Sequence, residues 1–427
     1  MKVALVSSYE LEGGAARAAS RLHEALLGAG VDASLSVLYR SSSAPGVHGG
    51  SGLGARLAAR ARWRLDHAPA WLLGLPRGEF SVNGLGGDLA SRLQALAPDV
   101  VHLHWVNAGF VSVSEIAALR LPVVWTAHDM WPFTGGCHYD RGCGRFEAQD
   151  CSACPMQQRL LAWPLPRRRL AAKTAAVARA GVHFIAPSRW MAAVAQRSPV
   201  ARQRPVQVVP NAIDTRRFQP IARDAARALF GLPQDRRLVL FGAVNAEADP
   251  RKGYAQLQSA LQALQARGAH EGVALCVFGS AARGNGTLNG LPVHHVGHLH
   301  DEPSLVALYS AADVFVAPSL QDNLPNTVLE ANACALPSVA FDVGGMSDLI
   351  EHRVSGWLAP AGDAQALAEG LAHALQQPQW RAAAGAAARA AAVARFDYPV
   401  VAAAHAALYR QAQASATQAT AGWSGAT

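Results

Sequence analysis

Two rhythms alternate along the chain. Short apolar runs, Lys2–Ser8, Ala33–Leu38, Val100–Trp105, Val123–Thr126 and Val182–Ala186, are separated by stretches such as Ala15–Leu27 and Met191–Arg197 whose apolar residues recur at helical spacing. Runs such as VVHL and VVWT are continuous rather than alternating, as strands covered on both faces require. The same rhythm resumes in the second half. Leu238–Val244, Ala274–Ser280, His294–Gly297, Val314–Ala317, PSVAFDV and Gly356–Ala359 read as strands, and Ser304–Ala312, Ala364–Gln376 and Trp380–Arg395 as helices. Strands alternating with helices predict an α/β chain with parallel sheets. Between Ala33–Leu38 and the next helix lies SSSAPGVHGGSGLG, which by composition reads as a flexible loop.

At 427 residues, two α/β domains are the expected number. We place the first at 1–205, with a Cys-rich insertion at about 134–158, and the second at 206–395. Residues 396–411 form a further helix, and 412–427, polar and small, are expected to be a disordered tail. The composition is 51% hydrophobic, enough for a core in each domain. No apolar run reaches the ~18–20 residues of a membrane span, and MKVALVSSYE is too short for a signal peptide. The expectation is a cytoplasmic protein.

The formal charge of +8 is unevenly placed: residues 1–205 carry +10 and residues 206–427 carry −2. The segment 151–205 has ten basic residues and no acid. The first half therefore suits an anionic partner such as phospholipid headgroups, a lipid-linked diphosphate or nucleic acid. Within it, Leu53–Leu75 sets Arg56, Arg60 and Arg64 four apart beside Leu57, Trp63 and Trp71. A basic helix of this kind suits a membrane interface, and equally an Arg-rich solvated face.

Chemistry concentrates in Ala317–Ile350, APSLQDNLPNTVLEANACALPSVAFDVGGMSDLI. A strand ends at Pro318-Ser319, a loop carries Asp322, and a helix carries Glu330, eight positions on. A second strand then runs into Gly344-Gly345. Ligands bind at the carboxyl ends of parallel strands, and helix N-termini favour anions. The stretch suits a sugar carrying a diphosphate. It resembles the donor-binding signature of retaining glycosyltransferase family 4, a family with the two-domain B-type fold, in which two acids are separated by seven residues. Here the first acid is Asp322, one methylene shorter than the family's Glu. DNLPNTVLEA and TAHDMWPFTGGC are most similar to the branch that builds bacterial exopolysaccharides of the colanic-acid type.

The resemblance covers about residues 1–411 and implies two Rossmann-like doubly wound domains facing each other across a cleft. The first would bind the acceptor and the second the nucleotide sugar, with Phe396–Gln411 crossing back onto the first. It implies that Arg251 and Lys252 hold the donor diphosphate, joined by amides of Asn323, Leu324, Pro325 and Asn326. Asp322 would hold the donor sugar, Glu330 the ribose, and His128, at a strand end, the sugar from the opposite domain. Gly13 and Gly14, after the first strand, would let backbone amides approach the diphosphate and acceptor. For His102 and His104 a core role and a ligand contact stand equal. His298-Leu299 would lie beside the base.

Cys137, Cys143, Cys151 and Cys154 form C-x5-C-x7-C-x2-C. In a cytoplasmic protein four thiolates suggest a structural zinc, with His138 as an alternative ligand. Two disulfides, disfavoured by that compartment, and free thiols are the alternatives. Cys276 and Cys334 stand alone in apolar runs as expected buried thiols.

The resemblance thus implies a retaining transferase moving a sugar from a UDP- or GDP-type donor to a hydroxyl of a lipid-linked saccharide in bacterial polysaccharide biosynthesis. It implies no catalytic metal and no nucleic-acid partner. The basic first half adds peripheral contact with an anionic membrane at its inner face. A sugar-nucleotide epimerase on the same fold and a non-enzymatic zinc- or nucleic-acid-binding protein are the competing readings. The first would need acids and bases around the sugar ring, and the second exposed base-reading residues; neither set is legible.

Overall fold

A computed structural model describes residues 1–76, 78–157, 164–242 and 249–424, with side chains as far as 417. The described chain forms two compact units, 1–212 with 401–427, and 213–400.

The first unit holds seven strands: β1 (Lys2–Val6), β2 (Asp32–Tyr39), β3 (Val47–Gly50), β4 (Val100–Leu103), β5 (Val123–Thr126), β6 (His183–Ala186) and β7 (Val206–Val208). They lie in the order β3-β2-β1-β4-β5-β6-β7, and every pairing is parallel. The chain winds outward from β1 and then returns to β4 on its other side, so the strand order reverses between β1 and β4. Side chains of β4 and β5 pointing to one face, Val101, Leu103, Val123 and Trp125, join a single apolar core with Phe184 and Met191.

The second unit repeats the plan with β8 (Arg237–Gly242), β9 (Val273–Phe278), β10 (Arg283–Leu288), β11 (Leu291–Gly297), β12 (Val314–Ala317), β13 (Ser338–Phe341) and β14 (Gly356–Ala359). The order is β10-β11-β9-β8-β12-β13-β14, parallel except for the β10–β11 hairpin. The reversal falls between β8 and β12. Continuous apolar strands are what this sheet needs. Leu238, Leu240 and Phe315 face one core, while Val239, Phe241, Val314 and Val316 face the other. Alternation along each strand thus fills two apolar layers. Truncating Phe315 to Ala would cost about 3–5 kcal/mol by opening a cavity. Both units are doubly wound Rossmann-like sheets, as the pattern of apolar runs predicts.

Three local expectations change. Part of the expected loop SSSAPGVHGGSGLG is the edge strand β3, and Val47 is buried. Buried Glu10 accepts from the Ser42 N–H at 3.0 Å and fixes the approach to it. The hairpin β10–β11 also forms, turning at Asn289 (φ 49°) and Gly290 (φ 75°). Two successive left-handed residues make the tight turn that matches strand twist, and Asn-Gly is its sequence signal. Finally, residues 412–424, expected to be tail, continue the helix Tyr398–Ser424. Their run of Ala and Gln favours helix over coil. The end of one expected strand, 243–244, lies outside the described residues, as do 245–248 before Arg251.

Candidate functional site

In the second unit the loops after β8, β12 and β13 meet at the strand-order reversal. Two glycines lock them. Gly253 (φ 72°) closes the turn after Arg251-Lys252, and a Cβ there would overlap the Pro318 carbonyl. Gly344 (φ 56°) lies so close to Asp322 that a Cβ would overlap the Asp322 carbonyl oxygen. Backbone bonds complete the junction. Leu320 N–H donates to the Arg251 carbonyl at 2.7 Å, and Gly345 N–H to that of Asp322 at 3.2 Å.

The charged groups of this junction are paired with each other. Lys252 Nζ donates to Asp322 Oδ2 at 2.6 Å. Asp322 Oδ1 accepts from the Asn323 N–H at 3.1 Å, and Ser319 Oγ stands 3.5 Å from Oδ2. Arg251 is held by Asp249, both through its guanidinium at 2.6 Å and through its N–H at 3.0 Å. The two cations expected to hold a diphosphate thus share one narrow region with Asp322. Their carboxylate partners keep them in place without ligand. Asp249, two positions before Arg251, is absent from the residues expected at the site; its place ahead of Pro250, opening a short turn, is the signal for such a cap.

The segment Asn323–Asn326 reaches the same junction, but its four residues differ in what they can do. Leu324 turns its side chain into the core. Pro325 has no N–H and caps the helix Asn326–Ala333 through its carbonyl. It therefore cannot serve as one of the expected amide donors. Glu330, on that helix, is 3% exposed, and Tyr309 Oη donates to its Oε2 at 2.8 Å. Sequence reading misses Tyr309, a lone aromatic residue in an apolar helix.

In the first unit, the ends of β1, β4 and β5 carry the expected residues. Gly13 (φ 88°) precedes the helix Gly14–Gly28, which follows β1. His104 follows β4 and His128 follows β5. His104 Nδ1 and His128 Nε2 share a hydrogen bond of 2.9 Å. Burial lowers the His128 pKa to about 4, against the pull of Asp129. Burial, reinforced by neighbouring histidines, also holds His102 and His104 well below the usual range. All three are neutral imidazoles at pH 7. His102 belongs to the core: it bonds the Tyr409 hydroxyl at 2.7 Å and Thr126 Oγ1 at 2.8 Å.

Asp129 beside His128 is an anchor. Its carboxylate takes His138 Nδ1 at 2.6 Å, Trp105 Nε1 at 3.0 Å and the Trp131 N–H at 2.8 Å. Burial opposes its ionisation, but His138 and these donors outweigh burial and lower its pKa. His138 is thereby committed to Asp129 and to Ser81 Oγ at 2.9 Å.

The four clustered cysteines carry free thiols. Cys151 joins the main core, while Cys137 and Cys154 pack in a separate apolar cluster with Phe80 and Leu165. Burial pushes the Cys137 thiol up to about 12 and Cys151 to about 11. Among the described residues no three His, Cys, Asp or Glu side chains are grouped to hold a metal ion.

Comparison with known proteins follows this geometry. Residues 12–217 match the family model described as Glycosyltransferase Family 4, and residues 235–377 the one described as Glycosyl transferases group 1. The chain is 33% identical over 191 residues to the D-inositol 3-phosphate glycosyltransferase of Saccharomonospora viridis, spanning 42% of this chain and 43% of that protein. It is 51% identical over 63 residues to the amylovoran biosynthesis glycosyltransferase AmsK of Erwinia amylovora, spanning 13% and 16%. The matched segments are thus less than half the length of either relative. Among solved structures, Anabaena Alr3699/HepE in complex with UDP-glucose superposes with a TM-score of 0.63 at 17% identity, covering 96% of this chain and 100% of that one. At that identity the likeness concerns the fold.

Proposed function

We propose, from the matches of residues 12–217 and 235–377 to glycosyltransferase family models, that the chain moves a sugar from a nucleotide-diphosphate donor to a hydroxyl acceptor, with retention at the anomeric carbon. The observation that carries the reading is the Lys252–Asp322 pair at the junction of three loops. Lys252 is 20% and Asp322 10% exposed, so leaving either without a counter-charge is costly and their separation needs a replacement partner. A diphosphate is a stronger partner for Lys252 than one carboxylate, because it offers several charged oxygens. Donor binding then releases Asp322 to accept hydroxyl protons from the donor sugar. Lys252 and Arg251 face the diphosphate, and Glu330 the ribose.

Transfer forms a bond from the acceptor oxygen to the anomeric carbon as the bond from that carbon to the diphosphate breaks. The acceptor's proton passes to the departing diphosphate oxygen. Lys252 and Arg251 neutralise the negative charge that builds there, so catalysis is positioning plus electrostatics. In the first unit His128, neutral and oriented by His104, is proposed as a sugar contact. Asp322, shorter than the family's Glu, would sit closer to its hydroxyl partner.

The acceptor is proposed to be a lipid-linked saccharide in polysaccharide biosynthesis, in line with the part AmsK plays in amylovoran biosynthesis. One helix supports work at a membrane surface. On Gly52–Leu72, Leu53, Leu57, Leu65 and Leu72 are 72, 54, 64 and 67% exposed, and Arg56, Arg60 and Arg64 share that exposed side. Apolar and cationic side chains together on one exposed face suit an anionic lipid interface. Among the described residues no helix is long and apolar enough to cross a membrane.

Calorimetric titration with UDP- and GDP-sugars, followed by nucleotide release with an acceptor mixture, tests the reading. Binding of one donor class, weakened by Glu330→Gln, is the expected result. No binding of any nucleotide sugar, with Glu330→Gln indistinguishable from the parent, would sink it.

A further inference from the structure

The first unit has an open pocket of about 350 Å³ between the helices Val113–Ala118 and Leu165–Ala180. Arg169 and Arg179 reach it from one side, and Asn83, Ser112 and Ser114 from the other. Alanines of both helices, Ala117 and Ala172 among them, form an apolar floor. Neither arginine has an acidic partner among the described residues. The nearest carboxylate acting on Arg169 is Asp66, whose oxygens are taken by the N–H groups of Asn83, Gly84 and Leu85. Arg169 makes only a long 3.5 Å bond to the Asn83 carbonyl, and its buried Nε has no partner. A half-buried guanidinium with no counter-charge is costly, and an anion in the cavity would remove that cost.

The size of the cavity narrows the ligand. The pocket is open to solvent on one side, and its volume is many times the roughly 10–15 Å³ that one water needs on the same measure. The space suits a ring as well as its charge. The floor is apolar, Ser114 presents an exposed hydroxyl at the edge, and Asn83, fully buried, keeps one oxygen unpartnered behind it. A sugar ring matches that contrast, with C–H groups on its face and hydroxyls at its edge. We propose that this pocket binds a sugar bearing a phosphate or carboxylate, with Arg169 and Arg179 on the anionic group and Ser114 on a ring hydroxyl. Only its role, seating an anionic residue of the acceptor, rests on the sugar-transfer reading; the binding itself rests on the cavity.

The test is calorimetry on the full chain without donor, using glucose 6-phosphate, glucuronate, glucose and inorganic phosphate as probes. The two anionic sugars are expected to bind at least about tenfold more tightly than glucose, the difference one charge-assisted contact makes. The stronger of the two identifies phosphate or carboxylate as the anion. Arg179→Gln, at the exposed rim, should weaken that binding about tenfold or more. Ala172→Trp should abolish it by filling the space without removing charge. Both variants should keep the parent's thermal midpoint and its nucleotide-sugar binding, so failure here is separable from failure of the transfer reading. The proposal is overturned if neither anionic sugar binds at millimolar concentration, if both variants bind as the parent does, or if inorganic phosphate binds as tightly as the anionic sugars.

Discussion

Lys252 and Asp322 satisfy one another across two loops that are 70 residues apart in sequence. That pairing makes Lys252→Ala informative in two separate measurements. Loss of Lys252 should lower the thermal midpoint, because it leaves the largely buried Asp322 carboxylate without its counter-charge, at a cost of up to about 3–5 kcal/mol. Loss of a charged contact to the donor should weaken binding about 10- to 100-fold in calorimetry. A large fall in midpoint with unaltered donor affinity would make the pair structural only. The histidines of the first unit act through protons instead. Burial lowers His405 and His128 to about 4, whereas the unfolded chain protonates such rings near 6.5. Between those values the unfolded state binds more protons, so stability rises with pH across this range. The contribution is complete above about pH 6.5 and is lost as pH falls toward 4. Thermal midpoints taken from pH 7 to 4 should therefore drop, and His405→Leu should flatten the drop. An unchanged slope in that variant would assign the acid sensitivity to other groups.

The three loops of the second unit are largely legible in the sequence. The strands, the Asp322–Glu330 spacing and Arg251-Lys252 all stand there, because apolar runs and turn residues mark strand ends. Which side chains satisfy each other is not legible. Asp249 on Arg251, Tyr309 on Glu330 and His104 on His128 are contacts between separate elements or across a turn, and no local periodicity encodes them. Cysteines that share one short window are likewise distributed over two apolar clusters. The Asn289-Gly290 hairpin carries a readable signal, hidden by flanking residues that are polar and exposed. Gly344 gives the loops a direct test. Gly344→Ala forces its Cβ against the Asp322 carbonyl and should cost several kcal/mol of strain and displacement, read as a lower midpoint and lost donor binding. The helix Gly52–Leu72 gives another. Leu57→Glu with Leu65→Glu changes exposed positions, so stability should move by about 0.5 kcal/mol or less. Flotation with phosphatidylglycerol vesicles should lose binding in the double variant and keep it in the parent at low salt. Equal flotation of the two would return that helix to an ordinary solvated face.

At the scale of the whole molecule, the two units differ in how the chain builds them. The second is one continuous segment, 213–400, with two apolar layers of its own. It also contains every member of the loop junction: Asp249, Arg251, Lys252, Ser319, Asp322, Glu330 and Gly344. The first is discontinuous, because residues 401–427 complete it. Tyr409 is fully buried there, bonds His102, and lies edge-on to its ring, while His405 packs beside both. Removing a buried aromatic side chain of this size costs about 3–5 kcal/mol, a large share of the roughly 5–15 kcal/mol that holds a domain folded. Separate expression should therefore be asymmetric. The fragment 213–400 is expected to melt cooperatively and to bind the nucleotide diphosphate, since the diphosphate's ligands lie within it. The fragment 1–212 is expected to melt well below the full chain, and tethering 401–427 to it should restore most of the loss. Circular dichroism melts and calorimetry on the three fragments decide this. If 213–400 folds but binds no nucleotide, the loop junction alone is not the donor site and the assignment of Lys252 and Asp322 fails with it. If 1–212 is as stable alone as with 401–427, the His102–Tyr409 bond is an incidental contact rather than the closure of the first core.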